Sequence, residues 1–463
     1  MKNKKFSKRI KLFIASVIAL AIWQGVAMKI DQNIILASPI DVGKRLVSLL
    51  GEKEFLPVAL FSFGRIVFGF LLGTFWGTVL AIIAGRVENI EILLKPFTST
   101  VKAVPVASFV VLSLLWFGSE NLSSFISFLM VLPIIYTNVL QGIKSLDPKM
   151  MDMAKVFKFS FLVRLKYLWL PSVKPFLISG AAVAAGLAWK SGVAAEIIGI
   201  PDGSVGEILF ESKVYLDTET LLAWTVIIVA FSIGTEKLFS LAIKGIFALF
   251  TFSPFPKNAV GEQSEKVCCT VKMSNVSKSF GGDKVIDNFS AEFSSGVTAL
   301  VGKSGCGKTT IINMILGLET QDSGEIIGVP EKISAVFQED RLSDEFSPLG
   351  NVVSVTKKKK SGEEILSLLS ELGIDRKDSL KKKSRKLSGG MKRRVAICRA
   401  LCAEGDLIIM DEPFGGLDEK TKASVIETVK KHIEGKTVIL ITHDLQEAER
   451  MGAYQVLNVE PRE

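Results

Sequence analysis

The sequence predicts two fold classes in one chain: an all-α helical membrane half of about six spans, then an α/β domain built on a phosphate-binding loop. Three observations carry this expectation. The 463 residues have a mean hydropathy of +0.38, too high for an ordinary soluble protein and too low for one that is all membrane. Apolar runs approaching the roughly 20 residues that a bilayer core requires recur as far as Phe247 and then cease. Further on, the β-branched run Val297–Val301 leads into VGKSGCGKTT, and Thr310–Leu316 after it suits a helix.

The helical half opens with an apolar run, Lys11–Ile30, behind a basic leader. It resembles a signal peptide, but no small-residue cleavage site follows and further apolar runs do, so it is read as a retained first span. The other candidates are Ala59–Ala84, Ala103–Phe117, Leu122–Ile143, Phe176–Ile200 and Leu221–Phe247; the third is short and begins around Pro105. Loop charge orients them. The leader carries Lys2, Lys4, Lys5, Lys8, Arg9 and Lys11, and the loop Lys144–Lys174 is rich in Lys and Arg. By contrast, Pro201–Thr220 holds Asp202, Glu207, Glu211, Asp217 and Glu219 against Lys213. The N-terminus is therefore cytoplasmic, and an even number of spans returns the chain there. The expectation is a multi-pass protein of the cytoplasmic (inner) membrane with its α/β domain in the cytoplasm. Lys190 and Glu196 lie inside the fifth span, on different helix faces. Either Lys190 faces an anionic solute in a translocation path, or it snorkels to headgroups near the outer end.

Composition excludes several classes. The cysteines, Cys268, Cys269, Cys306, Cys398 and Cys402, all lie in the second half, and His432 and His443 are the sole histidines. None of this has metal-ligand spacing, and reduced cytosolic thiols fit better than a disulfide framework. The net charge of +9 is not a nucleic-acid footprint. Its excess flanks apolar spans at Lys2–Lys11 and Lys144–Lys174, or lies on solvated surface at Lys357–Lys360 and Lys381–Lys386.

The glycine loop explains itself chemically. Gly302, Lys303, Ser304, Gly305, Cys306, Gly307, Lys308, Thr309 and Thr310 fit G-x-x-x-x-G-K-[ST] between a strand and a helix. Glycines let backbone N–H groups turn inward around a phosphate, and the helix adds the positive end of its dipole. Lys308 reaches the β- and γ-phosphates, and the Thr309 hydroxyl can ligate Mg²⁺. A second strand, Asp406–Met410, ends in Asp411 and Glu412. Asp411 is placed to hold Mg²⁺, and Glu412 to polarise an attacking water.

The segment Leu387-Ser388-Gly389-Gly390-Met391 resembles the LSGGQ signature of ABC ATPases, with Met at the last position. Gln338 in Val336–Glu339 resembles their Q-loop, Asp418 in Gly416–Asp418 their D-loop, and His443 in Ile441–Asp444 their switch histidine. Phe280 stands where an aromatic ring stacks on adenine. The resemblance covers the second half and implies an ATP hydrolase with ATP and Mg²⁺ as cofactors and a helical subdomain. Within it Glu412, His443, Lys308 and Gln338 are the catalytic group, and Thr309, Gln338 and Asp411 hold the metal. Ser388, Gly389 and Gly390 complete the ATP site of a partner subunit. Lys303 replaces the usual Pro, Phe280 a common Tyr and Gly416 the usual Ala; none of these removes a catalytic group.

The basic loop from Asp152 to Pro171 resembles the E-A-A-x3-G-x9-I-x-L-P loop of binding-protein-dependent ABC importer permeases. Asp152, Met153 and Ala154 occupy E-A-A, Lys158 the glycine, and Leu168, Leu170 and Pro171 the end. Lys158 is the most damaging departure, because that glycine has φ > 0. Phe337–Leu342, Ala37–Val42, Gly64–Gly73 and Ala195–Gly199 resemble the nitrate, sulfonate and taurine importers. The whole is read as a permease (1–247), a linker (248–266) and an ABC ATPase (267–463) fused in one chain. The resemblance implies import of a small solute, anionic if Lys190 faces it, by a homodimer, with an extracytoplasmic binding protein and no nucleic acid. An ABC exporter half-transporter is the alternative; its spans would extend further into the cytoplasm. An ABC ATPase of repair or translation would need no membrane half.

Overall fold

The computed structural model describes residues 2–30, 34–251, 269–303, 305–356 and 360–459. Two compact units result, and they do not follow chain order: Met1–Ser145 with Val173–Ile246, and Leu146–Ser172 with Phe247–Glu463.

The first unit is helical. Its elements are α1 (Lys2–Ile30), α2 (Pro39–Gly51), α3 (Phe55–Ala84), α4 (Glu88–Ala103) and α5 (Val106–Lys144). The loop that follows carries α6 (Pro148–Val156) and α7 (Phe161–Arg164); then come α8 (Leu170–Gly199), α9 (Val205–Val214) and α10 (Thr218–Thr251). Among the described residues, five helical runs are long and apolar enough to cross a membrane, where six were expected. The difference lies in α5, which holds both the third and fourth candidates. At Gly118 the backbone turns through φ 65°, ψ 179°, a region closed to residues with a β-carbon. Phe117 and Phe125 stack at 4.3 Å, whereas eight residues along a straight helix would separate them by about 12 Å. The chain therefore folds back on itself. The arm before the turn is about 18 Å long, short of the roughly 30 Å of a bilayer core. Helix α10 runs to Thr251, into the first residues of the expected linker.

Small residues set the central packing. Gly69, Gly73 and Gly77 recur every fourth residue along one face of α3 and meet the backbone of α5. A β-carbon on them would lie 2.2 Å from the Ser124 carbonyl oxygen, 2.9 Å from that of Phe128 and 2.8 Å from that of Leu132. In lipid, apolar side chains gain little by meeting one another, so such close backbone approach supplies the attraction. The Glu196 carboxylate on α8 is fully buried and accepts from the Ser62 hydroxyl at 2.7 Å. Lys190 is exposed. The different-face expectation holds, and Glu196 belongs to the helix packing.

The second unit holds two sheets. An antiparallel one comprises β1 (Val271–Phe280), β2 (Asp283–Phe293) and β4 (Ser323–Ile327) in the order β2-β1-β4. The other is parallel, β5-β6-β7-β3-β8, from β3 (Gly296–Val301), β5 (Ile333–Val336), β6 (Leu407–Asp411), β7 (Thr437–Thr442) and β8 (Ala453–Asn458). Helix α11 (Lys308–Ile315) follows β3. Between β5 and β6 the chain inserts α12 (Pro348–Thr356), α13 (Gly362–Glu371), α14 (Arg376–Lys381) and α15 (Gly389–Cys402). Helices α16 (Glu419–Ile433) and α17 (Leu445–Arg450) flank β7. Every residue of β6 and β7 is buried, which is why these strands read as continuous apolar runs.

The loop segment belongs to this unit. Met153, Ala154, Val156, Phe157, Phe159 and Leu168 share one buried cluster with Val271, Phe293, Ile311, Phe337 and Val355. Helix α6 closes in a Schellman motif: Phe159 N donates to Ala154 O (2.9 Å) and Lys158 N to Lys155 O (2.9 Å). Lys158 takes the left-handed position at φ 49°. The glycine conformation thus survives the lysine, at a strain of roughly 1 kcal/mol.

Gly69→Ala should strongly reduce the yield of monodisperse membrane protein, since overpacking costs about 1–3 kcal/mol and here the obstacle is backbone. Gly25→Ala, with nothing within 4 Å of the new methyl, should leave it unchanged in the same size-exclusion assay. Lys158→Gly should raise the unfolding temperature of the second unit, and Lys158→Val should lower it.

Candidate functional site

The C-terminal ends of parallel strands lie along one edge, and the chemistry gathers there. After β3 the chain turns through Gly305 (φ 86°) and Gly307 (φ 95°), both in the left-handed region. Gly302 approaches the backbone closely: a β-carbon there would lie 2.2 Å from the Val459 carbonyl oxygen. Ser304 lies outside the described residues. Lys303 is exposed and Cys306 buried, and Thr309 and Thr310 stand in the first turn of α11. Lys308 is 8% exposed; its Nζ donates to the carbonyls of Gly302 (2.7 Å) and Lys303 (2.8 Å). The loop's own oxygens thus satisfy the cation, in a glycine turn ahead of a helix N-terminus of the kind that fits a phosphate.

Asp411 ends β6 and is buried. Burial, reinforced by the neighbouring Glu412 charge, raises its pKa to about 6; Lys308, Arg393 and the Thr309 hydroxyl pull the other way. Glu412 follows at φ 45°, its N–H held by the Ile441 carbonyl of β7 at 3.0 Å. His443, one residue beyond β7, brings Nδ1 to 3.6 Å from Glu412 Oε1. Gln338, beyond β5, lines a cavity of about 290 Å³ together with Thr309 and Asp411. Hydroxyl, amide and carboxylate make an all-oxygen set, the kind that suits Mg²⁺.

Two arginines of α15 hold the backbone after β5. Arg393 donates to the carbonyls of Phe337 (2.7 Å) and Gln338, and Arg399 to those of Asp340 (3.0 Å) and Arg341 (2.6 Å). Arg399 is 1% exposed, and burial lowers its pKa to about 10. Sequence reasoning gave neither a role; for Arg399 the available signal was an arginine inside the apolar run Val395–Cys402.

The other predicted residues lie apart. Ser388 caps α15, its hydroxyl accepting from Met391 N (3.4 Å), and it is exposed together with Gly389. Among the described residues no hydrogen bond joins this corner to the Gly302 loop. Gly390 follows in the first turn of α15. Asp418 caps α16, accepting from Thr421 N (3.0 Å). Phe280 ends β1 with its ring 45% exposed and Lys278 Nζ 5.3 Å from the ring centroid. Cys268 lies outside the described residues.

The family model "Binding-protein-dependent transport system inner membrane component" matches residues 58–248, and "ABC transporter" matches residues 286–415. An aliphatic sulfonates import ATP-binding protein of Pseudomonas syringae pv. syringae is 36% identical, over 42% of this chain and 72% of that protein. The chain belongs to the ABC transporter family. A second aliphatic sulfonates import ATP-binding protein, of Pseudomonas syringae pv. tomato, is 38% identical over 38% of this chain and 66% of its own length. A Nod factor export ATP-binding protein of Rhizobium etli is 34% identical over 42% of this chain and 67% of its own. The chain thus spans about two thirds of the length of such relatives. It is a multi-pass ABC transporter chain that fuses a permease of the importer type to an ATPase, and its C-terminal α/β half binds and hydrolyses ATP.

In this ABC transporter the Leu146–Ser172 loop seats on the stretch after Gln338. Asp147 caps α6, accepting from Lys149 N (2.9 Å), and Lys149 Nζ pairs with Glu339. Ser343 Oγ donates to the Tyr167 carbonyl (2.8 Å), and the Tyr167 and Phe346 rings lie 4.3 Å apart. One run of chain, Phe337–Phe346, therefore borders both the acids of the ATP site and the loop of the permease sequence.

A carboxyl whose folded pKa lies above its unfolded value penalises the folded state once it ionises. Asp411, raised from 3.8 to about 6, should cost the nucleotide-free fold about 3 kcal/mol above pH 6, a cost absent below pH 4. Asp411→Asn should raise the unfolding temperature at pH 7.5 and leave it nearly unchanged at pH 4. An equal rise at both values would remove the electrostatic origin.

Proposed function

We propose that the chain is one half of an ATP-driven importer of a small anionic solute across the cytoplasmic membrane. The observation that carries this is a binding-protein-dependent permease match in the same chain as the ATPase. The Leu146–Ser172 loop, lodged against Glu339–Phe346, supports mechanical coupling of the two activities. The ATPase half alone does not decide direction, since its relatives include an export protein. An anionic cargo accords with relatives whose names specify aliphatic sulfonates. The proposed boundaries remain a permease over 1–247, a linker over 248–266 and an ATPase over 267–463.

The site residues divide the work as follows. Backbone N–H groups from Gly302 to Thr310 bind the phosphates, Lys308 turns from its carbonyl partners to the β- and γ-oxygens, and Phe280 stacks on adenine. Thr309, Asp411 and Gln338 hold Mg²⁺, which supplies positive charge to the transferring phosphoryl group. Glu412 orients the attacking water, and His443, 3.6 Å from its carboxylate, steadies that geometry. Ser388 and Gly389 are exposed and Gly390 is half-buried, and among the described residues none is hydrogen-bonded to the Gly302 loop, which supports their use by a second copy of the chain; Asp418 is assigned to the same shared site. Closure of two copies over ATP, then opening after hydrolysis, moves α6 and alternates access. An extracytoplasmic binding protein delivers the solute.

Glu412→Gln should retain ATP binding and lower turnover by about 10²-fold or more. Near-normal hydrolysis would remove Glu412 from its role. Chains carrying Lys308→Ala and chains carrying Ser388→Arg, each inactive alone, should regain part of the activity when mixed, because one shared site is then intact. Absence of any recovery in verified mixed dimers would argue against shared sites.

A further inference from the structure

Arg341 is held in an unfavourable state from several sides. It is left-handed at φ 46°, where a β-carbon is strained. Its carbonyl is gripped by Arg399 Nη1 at 2.6 Å, and its guanidinium lies 3.9 Å from the centre of the Phe337 ring. Nε and Nη1 are buried with no hydrogen-bond partner. A guanidinium carries five donors, and leaving them unmatched away from water is costly. Such a group persists where it has a use.

The surroundings indicate the use. Arg341 lines the 290 Å³ cavity whose walls carry Thr309, Gln338 and Asp411 at one end and Lys149 and Asp152 of α6 at the other. Burial lowers its pKa, while the carboxylates of Asp152, Glu339, Asp147 and Asp411 act in the opposite direction. Two of these acids belong to α6 or its cap and one ends β6. Glu339 is already paired with Lys149, and Asp152 with Lys155 at 3.2 Å, an exposed and therefore weak pair. The guanidinium thus stands between acids of the ATP site and acids of the loop without closing a bond to either.

We infer that Arg341 is a positioning residue that couples the two ends of this cavity, engaging Asp152 of α6 or Asp411 of β6 according to whether ATP fills the site. The inference rests on the ATP-site assignment above. Filling that site changes the charge around Asp411, and an unpaired cation between two carboxylates converts that change into a change of partner on α6. Arg341 acts through these carboxylates. Lys149, a flexible point charge already engaged, does not substitute for a planar fork.

The test uses the full chain in lipid nanodiscs and reads hydrogen exchange of the Pro148–Val156 amides with and without magnesium-ATP, alongside ATP affinity. In the wild type, ATP should change α6 exchange by at least about fivefold. Arg341→Gln should abolish that change with ATP affinity within about threefold, and Arg341→Lys should restore part of it. Asp152→Asn, on a partly exposed helix face where folding is not at stake, should produce the same loss, and the double variant no further loss. A full ATP-dependent change in Arg341→Gln, or in Asp152→Asn, overturns the proposal, as do independent effects that multiply in the double variant. Failure of the ATP-site assignment has a different signature: Lys308→Ala would then bind ATP as tightly as the wild type.

Discussion

Four carbonyls in the stretch that leaves β5, those of Phe337, Gln338, Asp340 and Arg341, are held by two guanidinium groups from one helix. The rest of the second unit depends on this grip. A stretch that leaves β5 without regular secondary structure has no ladder to satisfy its backbone oxygens, and burying them unpaired is costly. Arg393 and Arg399 supply charge-assisted donors in a planar fork, which fixes direction as well as distance. The same helix begins at Ser388. Placement of Gln338 beside Thr309 and Asp411 and the seat for Tyr167 and Lys149 are therefore tied to the orientation of α15.

The site as a whole keeps charged groups in states that favour a ligand over rest. Lys308 satisfies its ammonium with loop carbonyls, Asp411 resists ionisation because it is buried beside Glu412, and Glu412 and Arg341 both occupy left-handed backbone. Strain of this kind clusters at sites whose geometry the surroundings over-determine. Here the fully buried β6 and β7 and the arginines of α15 do the over-determining. On the coupling proposed above, a change of charge at Asp411 is passed along Phe337–Phe346.

The membrane unit solves a different problem with different residues. Apolar side chains drive helices together in water but gain little in lipid. Glycines along α3 bring it against the α5 backbone, and the buried Glu196 accepts from the Ser62 hydroxyl and the Gly206 N–H, while the Val205 N–H donates to Ser62. A β-carbon on Gly206 would fall 2.2 Å from that of Glu196. An acid inside a span is thus tolerated because hydroxyl and helix N-terminus surround it.

Local pattern was enough wherever chemistry is contiguous. The loop at Gly302–Thr309 between strand and helix, the acids ending an apolar strand and the Ser388 cap were legible because a strand, a turn or a helix start constrains residues a few positions apart; the glycine-like conformation at Lys158 was legible through the resemblance of its loop. Spans were legible as apolar lengths, but not that α5 turns back at Gly118, since a glycine in an apolar helix reads the same whether or not the backbone bends there. Nor could spacing reveal that Leu146–Ser172 joins the ATPase unit, or that Arg393 and Arg399 hold carbonyls more than fifty residues away. Sequence by itself determined the strand–loop–helix that carries the phosphate-binding pattern and which stretches are apolar, because those depend on composition over short windows. Tertiary structure alone decided which buried charges find partners, because a hydrogen bond depends on distance and direction in space, and the chain brings those acids and arginines together from opposite ends of separate elements.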